Sequence, residues 1–217
     1  MARPEGSRNA GYHKERRRLA RLILQKVTSP NGTHTSLRAL AIHCDISAPT
    51  LRHYFKNRAG AITAALEQAL DDWSSDLMSW SQDDLGDVEA SLHAFLSALA
   101  KRWTTSNFGN IVSSGLAIGL SYEAQRSVVN RYIHAPLFEV ASKRITMHQE
   151  SGELVDSLDS ALGARILIAP MILALIERHQ IQTDSSDLPS TQDFIRVHIQ
   201  GFLRAWGSDA YKAAQAI

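Results

Sequence analysis

Residues 35–58 read TSLRALAIHCDISAPTLRHYFKNR, and this stretch decides the fold. Thr35 or Ser36 can cap a short helix, expected over about 35–43, by accepting a hydrogen bond from an otherwise unpaired N–H at its first turn. Leu37, Leu40 and Ala41 face inward from that helix. Cys44-Asp45-Ile46 has room for a tight turn only, with Ile46 as its plug. Ser47 caps a second short helix, over about 47–53, whose inner side carries Leu51 and Phe55. The core these two helices share needs a third wall, and the chain supplies one just upstream. There Leu19, Leu22, Ile23 and Val27 recur at three- and four-residue steps, opposite Arg17, Arg18, Arg21 and Lys26. Ser29-Pro30-Asn31-Gly32 ends this longer helix, because Pro lacks the N–H and Asn-Gly favours a turn. The pattern predicts a three-helix helix-turn-helix unit. Such a unit projects the N-terminal side chains of its second short helix into a DNA major groove about 12 Å wide.

Charge points the same way. The 217 residues carry a net +1, yet residues 1–58 hold twelve Lys/Arg against three Asp/Glu, and residues 59–217 hold eleven against nineteen. A basic first quarter on an acidic remainder suggests two jobs, the first with a polyanion. Composition, at 44% hydrophobic and 21% charged, is that of a globular chain rather than a disordered one. The single cysteine, Cys44, allows neither an internal disulfide nor a zinc cluster. The longest apolar run, Ile166 to Ile176, falls short of the roughly 18–20 residues that cross a bilayer. No secretory segment follows the basic N-terminus, so a cytoplasmic protein with no membrane partner is expected.

Beyond Arg58 the helices lengthen. Ile62, Leu66, Leu70, Trp73, Leu77 and Trp80 step by three and four along one face of a long helix, which Asp83-Asp84-Leu85-Gly86-Asp87 breaks. Further helices are expected over about 87–103, 107–120, 122–149, 155–180 and 189–206, with kinks or breaks at Pro136 and Pro170. Loop signals separate them at 104–107, 150–152 and 183–187. No period-two alternation suggests a strand. The fold class is all-α: an arm over 1–12, a helix-turn-helix domain over 13–58 and a larger helical domain over 59–217.

In Thr35, Leu40-Ala41, Ile46, Ser47, Thr50-Leu51, Tyr54-Phe55 and Arg58, the first part of the chain resembles the TetR family of bacterial one-component repressors. The resemblance covers about 45 residues. Three positions depart from it. Asp45 stands at the usual turn glycine, and Asp tolerates the left-handed conformation better than most residues. Pro49 replaces a glycine early in the recognition helix, where a missing N–H costs little. Arg52 replaces a tyrosine that usually bonds a phosphate; arginine can do that or read a guanine edge bidentately.

What the resemblance implies is a repressor that binds a pseudo-palindromic operator in double-stranded DNA as a homodimer, and that a small-molecule effector releases. The dimer would form through the helices at 155–180 and 189–206. The apolar crowding of Ile166, Leu167, Ile168, Met171, Ile172, Leu173, Leu175 and Ile176 independently favours a partner there. Candidate DNA contacts are Thr35, Ser47, Ala48, Pro49, Thr50, Arg52, His53, Tyr54, Lys56 and Arg58. An apolar effector pocket is expected around Trp73, Leu77, Phe95, Trp103, Phe108 and Tyr122. Gly115-x-x-x-Gly119 reads as a packing notch. His93, His134, His148, His179 and His198 lack ligand-spaced carboxylate partners and read as polar helix-face residues rather than metal ligands. No catalytic fingerprint, metal or cofactor motif is present, so an enzyme is not expected. Two rivals remain: a helical interaction module whose basic quarter binds an acidic surface or anionic lipid, and a DNA-binding regulator with no small-molecule effector.

Overall fold

The structure, a computed structural model, describes residues 10–82, 86–181 and 188–214. Every regular element among them is helical. Helices α1 (Ala10–Val27), α2 (Leu37–His43), α3 (Ala48–Phe55), α4 (Arg58–Gln82), α5 (Val88–Thr105) and α6 (Phe108–Ser121) follow in order. Then come α7 (Arg126–Val129), α8 (Ala135–Glu150), α9 (Ser160–Ile176), α10 (Thr191–Trp206) and α11 (Asp209–Ala214). Of the arm expected over 1–12, residues 1–9 lie outside the described residues, and Ala10 to Tyr12 already belong to α1. The expected loop at 183–187 also lies outside them, as do residues 83–85 of the break after α4.

The residues gather into two compact units. One comprises 10–74 and 110–133; the other comprises 75–109 and 134–214, so α4 and α6 each contribute to both. In the first unit, Leu19, Ile23, Val27, Leu40, Ala41, Leu51 and Phe55 are buried, as their spacing predicts. Ser36, rather than Thr35, caps α2 by accepting from the Ala39 amide at 3.2 Å. Ser47 caps α3 by accepting from Thr50 at the same distance. Asp45 takes φ 54° in the turn between them, so the left-handed turn survives without its glycine. Cys44 is buried in this core, and burial pushes its thiol up, away from the reactive thiolate. Gly115 and Gly119 face Val129 and Ile133, but a Cβ at either would meet only ordinary contacts of 3.4 Å or more.

In the second unit, α9 packs on α8 and α10, and α10 packs on α5. Asp87, Asp159 and Ser190 cap α5, α9 and α10 through bonds to Ala90, Leu162 and Asp193. Two expected helices differ. The segment expected as one helix over 122–149 is broken into a 3-10 turn (Glu123–Gln125), α7, a π-helical turn (Asn130–His134) and α8. Pro136 explains the last break: it cannot donate to the carbonyl four residues back, so the turn before it widens. The helix expected from 155 starts at Ser160, because the preceding backbone is used elsewhere. Val155 N–H donates to the Trp206 carbonyl at 3.0 Å, and Leu154 bridges Gly207. Pro170 does not break α9, which continues into a second π-helical turn, Glu177–Ile181. Ser160–Ile181 is long and apolar enough, by length and composition, to cross a bilayer, although the uninterrupted apolar run is shorter; a third of its most apolar window is buried in this chain.

Candidate nucleic-acid interface

Helix α3 has eight residues, and two of them, Leu51 and Phe55, are spent on the core. The helical period then turns Pro49, Thr50, Arg52 and His53 outward, and all four are exposed, as is Lys56 just past the end. Ala48 is half-buried at the first helical position. Pro49 follows in the first turn, where its missing N–H costs nothing. The Ser47 and Thr50 hydroxyls lie 2.7 Å apart and bond each other. Arg52 and Lys56 have no side-chain hydrogen bond or ion pair with another described residue. Lys56 sits at φ 66°, ψ −56°, and the Asn57 N–H donates to the Phe55 carbonyl at 2.7 Å. This is a three-residue turn in a left-handed conformation that a lysine rarely adopts.

The corner where α3 meets α1 is aromatic and basic. Tyr54 stacks on Tyr12, with centroids 5.0 Å apart, and His53 meets both rings edge-on. The Arg16 guanidinium lies over Phe55. Together with His13 and Lys56 they line an open cleft of about 430 Å³. Sequence reasoning found Tyr54, His53 and Lys56 but missed Tyr12, His13 and Arg16. The signal was present: Tyr12 and Arg16 are one turn apart on a helix whose next turns are visibly amphipathic.

Thr35 and Arg58 are placed differently from the rest of the candidate set. Both are half-buried. The Arg58 Nε donates to the Thr35 carbonyl at 2.9 Å, Nη2 donates to the Thr33 carbonyl, and the guanidinium covers the Tyr122 ring. Tyr122 belongs to the first unit, where it bonds His34, whereas Phe95, Trp103 and Phe108 of the expected pocket belong to the second. Those three are buried in the second unit, as is Leu77. There Trp103 meets Phe108 edge-on, and Phe95 meets Trp80 in the same way. Trp73 is buried in the first unit. The Trp103 indole nitrogen is buried without a hydrogen-bond acceptor and lies against Gly109, where a Cβ would sit only 2.5 Å from it.

The second unit also holds a polar cluster that the sequence reading did not anticipate. His148 Nδ1 lies 2.7 Å from Glu153, and its Nε2 lies 2.8 Å from Ser91 Oγ. Arg144 donates to Ser91 Oγ at 2.7 Å and to the Trp80 carbonyl, with its guanidinium over Phe95. Burial pushes the Glu153 carboxyl up, but hydrogen bonds from His148, Ser151 and the Val88 amide together outweigh that and hold it below the ordinary carboxylate range. Serine, histidine and carboxylate at these distances form the order of a nucleophilic relay. Here Ser91 is 2% and His148 1% exposed, and Arg144 occupies the serine oxygen. The cluster cross-links α5, α8 and the end of α4. His148 is thus a buried partner and not a helix-face residue. Among the described residues, no group of His, Cys, Asp and Glu could hold a metal ion.

No protein-family profile matches the sequence, and no curated protein matches it. Solved structures do. GusR of Salmonella enterica matches with a TM-score of 0.65 at 20% identity, over 88% of this chain and 96% of its own. Reduced NemR of Escherichia coli matches with 0.68 at 16%, over 87% and 97%. SmeT, the repressor of the Stenotrophomonas maltophilia multidrug efflux pump SmeDEF, matches with 0.63 at 15%, over 90% and 92%. Several further matches are TetR-family transcriptional regulators. The chain has the TetR-family fold. In that fold α3 is the second helix of the helix-turn-helix.

Proposed function

We propose that this chain is a transcriptional regulator that binds a pseudo-palindromic operator as a homodimer. The observation that carries the reading is the outward face of α3, where Arg52 and Lys56 are cations with no side-chain partner among the described residues, beside exposed Pro49, Thr50 and His53. Unspent donors on a helix of groove-sized diameter suit base edges and phosphates, and the net positive first quarter supplies the non-specific attraction. Ser47 and Ala48 set the start of the helix, with Thr35 behind it. Tyr54, at the stacked corner, and Lys56 are assigned to the backbone.

A second copy of the chain is the partner that the α9–α10 surface supports. Leu162, Leu173 and Ile181 on the α9 side and Val197 on α10 are all more than half exposed, although α9 is apolar around its whole circumference. A symmetric pair through this surface presents two copies of α3, and two half-sites about one helical turn (~34–36 Å) apart would receive them. Repression is the sign we propose, in line with SmeT. Release by a small apolar effector is the finer part of the reading. Its support is the buried Trp103–Phe108 pair of the second unit, in which the Trp103 N–H has no acceptor among the described residues.

Selection of bound duplexes from a random library tests the reading. An inverted repeat with half-sites about ten base pairs apart is expected. Binding with a steep salt dependence but no sequence preference would favour an acidic or lipid surface as the partner instead. A monomer in solution would remove the symmetry argument.

A further inference from the structure

We infer that Tyr122 is a positioning residue for the DNA-reading helices, acting through Arg58; the inference rests on the proposed role of α3. Arg58 is the first residue of α4, and its side chain reaches back to the segment that enters α2. Nε donates to the Thr35 carbonyl at 2.9 Å, and Nη2 donates to the Thr33 carbonyl. The next residue, Ser36, caps α2, so the guanidinium fixes the point from which α2 departs. Only a short turn then separates α2 from α3, and the pose of one sets the pose of the other.

Two backbone acceptors do not by themselves hold a half-buried arginine that could instead face water or a phosphate. Tyr122 supplies the remaining side. Its ring centroid lies 4.4 Å from the guanidinium carbon, a cation–π distance, and its hydroxyl lies 3.0 Å from His34 Nδ1 on the 3-10 turn before Thr35. The ring is gripped on its face and at its tip, and both grips fall on residues 33–35 or on the side chain that binds them. Its own stem is fixed as well. Tyr122 N–H donates to Ile118 at the end of α6, and the Tyr122 carbonyl accepts from Gln125. Residues 110–133 and α1 to α3 belong to one compact unit. A shift of the α6 end therefore reaches the approach to α2 through the Tyr122 contacts with Arg58 and His34.

Arg58 has two competing roles, and the salt dependence of binding separates them. A cation on a phosphate adds close to one unit to the slope of log affinity against log salt. A cation engaged internally adds nothing to the slope, although its loss still weakens binding. The experiment measures affinity for the selected duplex at several salt concentrations for the wild-type dimer, Tyr122→Ala, Tyr122→Phe, Arg58→Ala and the double alanine variant. Hydrogen exchange at the amides of Thr35, Ala39 and Leu40 is followed in parallel. Tyr122→Ala and Arg58→Ala are each expected to weaken binding by about tenfold with the wild-type slope, and the double variant should be little worse than either, because both remove one coupled unit. Exchange at the three amides should quicken in all of them. Tyr122→Phe, which keeps the ring and loses only the His34 bond, should fall between them and wild type.

Additive losses, a slope reduced by about one in Arg58→Ala, or wild-type affinity and exchange in Tyr122→Ala would each overturn the inference. If Tyr122→Ala does not fold, Arg58→Lys replaces it. Lysine cannot donate to both carbonyls in a planar fork, so the same loss at unchanged slope is expected. A wild-type protein that bound no duplex would sink the functional reading alone. The exchange measurement would still decide whether Tyr122 holds residues 33–35.

Discussion

Arg52 and Arg144 are the same residue type on two helices, and the protein uses them in opposite ways. Arg52 stands on the exposed side of α3 with no side-chain partner among the described residues, while Arg144 is 3% exposed on α8 and donates to Ser91 and the Trp80 carbonyl. Position along the helix decides between the two. One turn either side of Arg52 lie half-buried Ala48 and exposed Lys56, whereas Arg144 falls in a stripe with Leu137, Val140, Ala141, Ile145 and His148, all buried. A cation on the apolar stripe of a helix is structural material. A cation on the opposite face is available to a partner.

The sharpest way to break that comparison is to remove the buried member. Arg144→Met leaves the Trp80 carbonyl without its guanidinium donor and changes the hydrogen bonding of Ser91 in a site closed to water. Stability in urea should fall by about 3–5 kcal/mol, the usual cost of breaking a buried charged network by removing one partner. The folded fraction should bind duplex with the wild-type salt slope. A variant of wild-type stability would mean that the cluster carries no structural weight, and a changed slope would mean that Arg144 reaches the DNA.

The helix-turn-helix was legible because its signals are local. Ser47, Asp45 and the Leu51–Phe55 pair each act within one turn of their own position, and the structure keeps every one. The elements that were misjudged depend on distant groups. At Tyr122, His34, 88 positions away, takes the hydroxyl and Arg58 the ring face, and neither contact is recorded by local spacing. The extended Tyr122 backbone, φ −132°, then starts a new turn where a continuous helix was expected. The start of α9 moves to Ser160 because Leu154 and Val155 pair with the chain after α10, which no periodicity near them records. Six-residue α11 is too short to give a periodic signal. The buried cluster was missed because Glu153 lies past the end of α8, and its histidine partner looks like any polar residue until Ser91 of α5 is placed beside it.

Arg52 sharpens the comparison from the other side. If it reads a guanine bidentately, Arg52→Lys should relax the preference at one base pair in each half-site by ~1–3 kcal/mol, since an ammonium cannot form the planar fork. Stability should stay within about 0.5 kcal/mol of wild type, as for an exposed residue away from core or caps. Selection repeated with the variant reads this directly. An unchanged preference at every position would assign Arg52 to a phosphate, and undiminished affinity in Arg52→Ala would leave it no role at all.

Lys56 gives the smallest effect and the most discriminating one, because it joins the two uses in one residue. Its side chain is exposed and has no partner among the described residues, yet its backbone holds φ 66°, which costs a lysine on the order of 1 kcal/mol and a glycine very little. Lys56→Gly should therefore raise stability, by up to about 1 kcal/mol less whatever glycine loses to unfolded-chain entropy. The same change should weaken every duplex alike and lower the salt slope by about one, the loss of one phosphate contact. Lys56→Ala separates the contributions: it removes the cation but keeps the strain, so the slope should drop with no gain in stability. A Lys56→Gly protein that was more stable and bound DNA with the wild-type slope would show that the turn is strained for packing alone. A protein that lost stability would show that the conformation at Lys56 is held by its side chain, against the exposure seen in the structure.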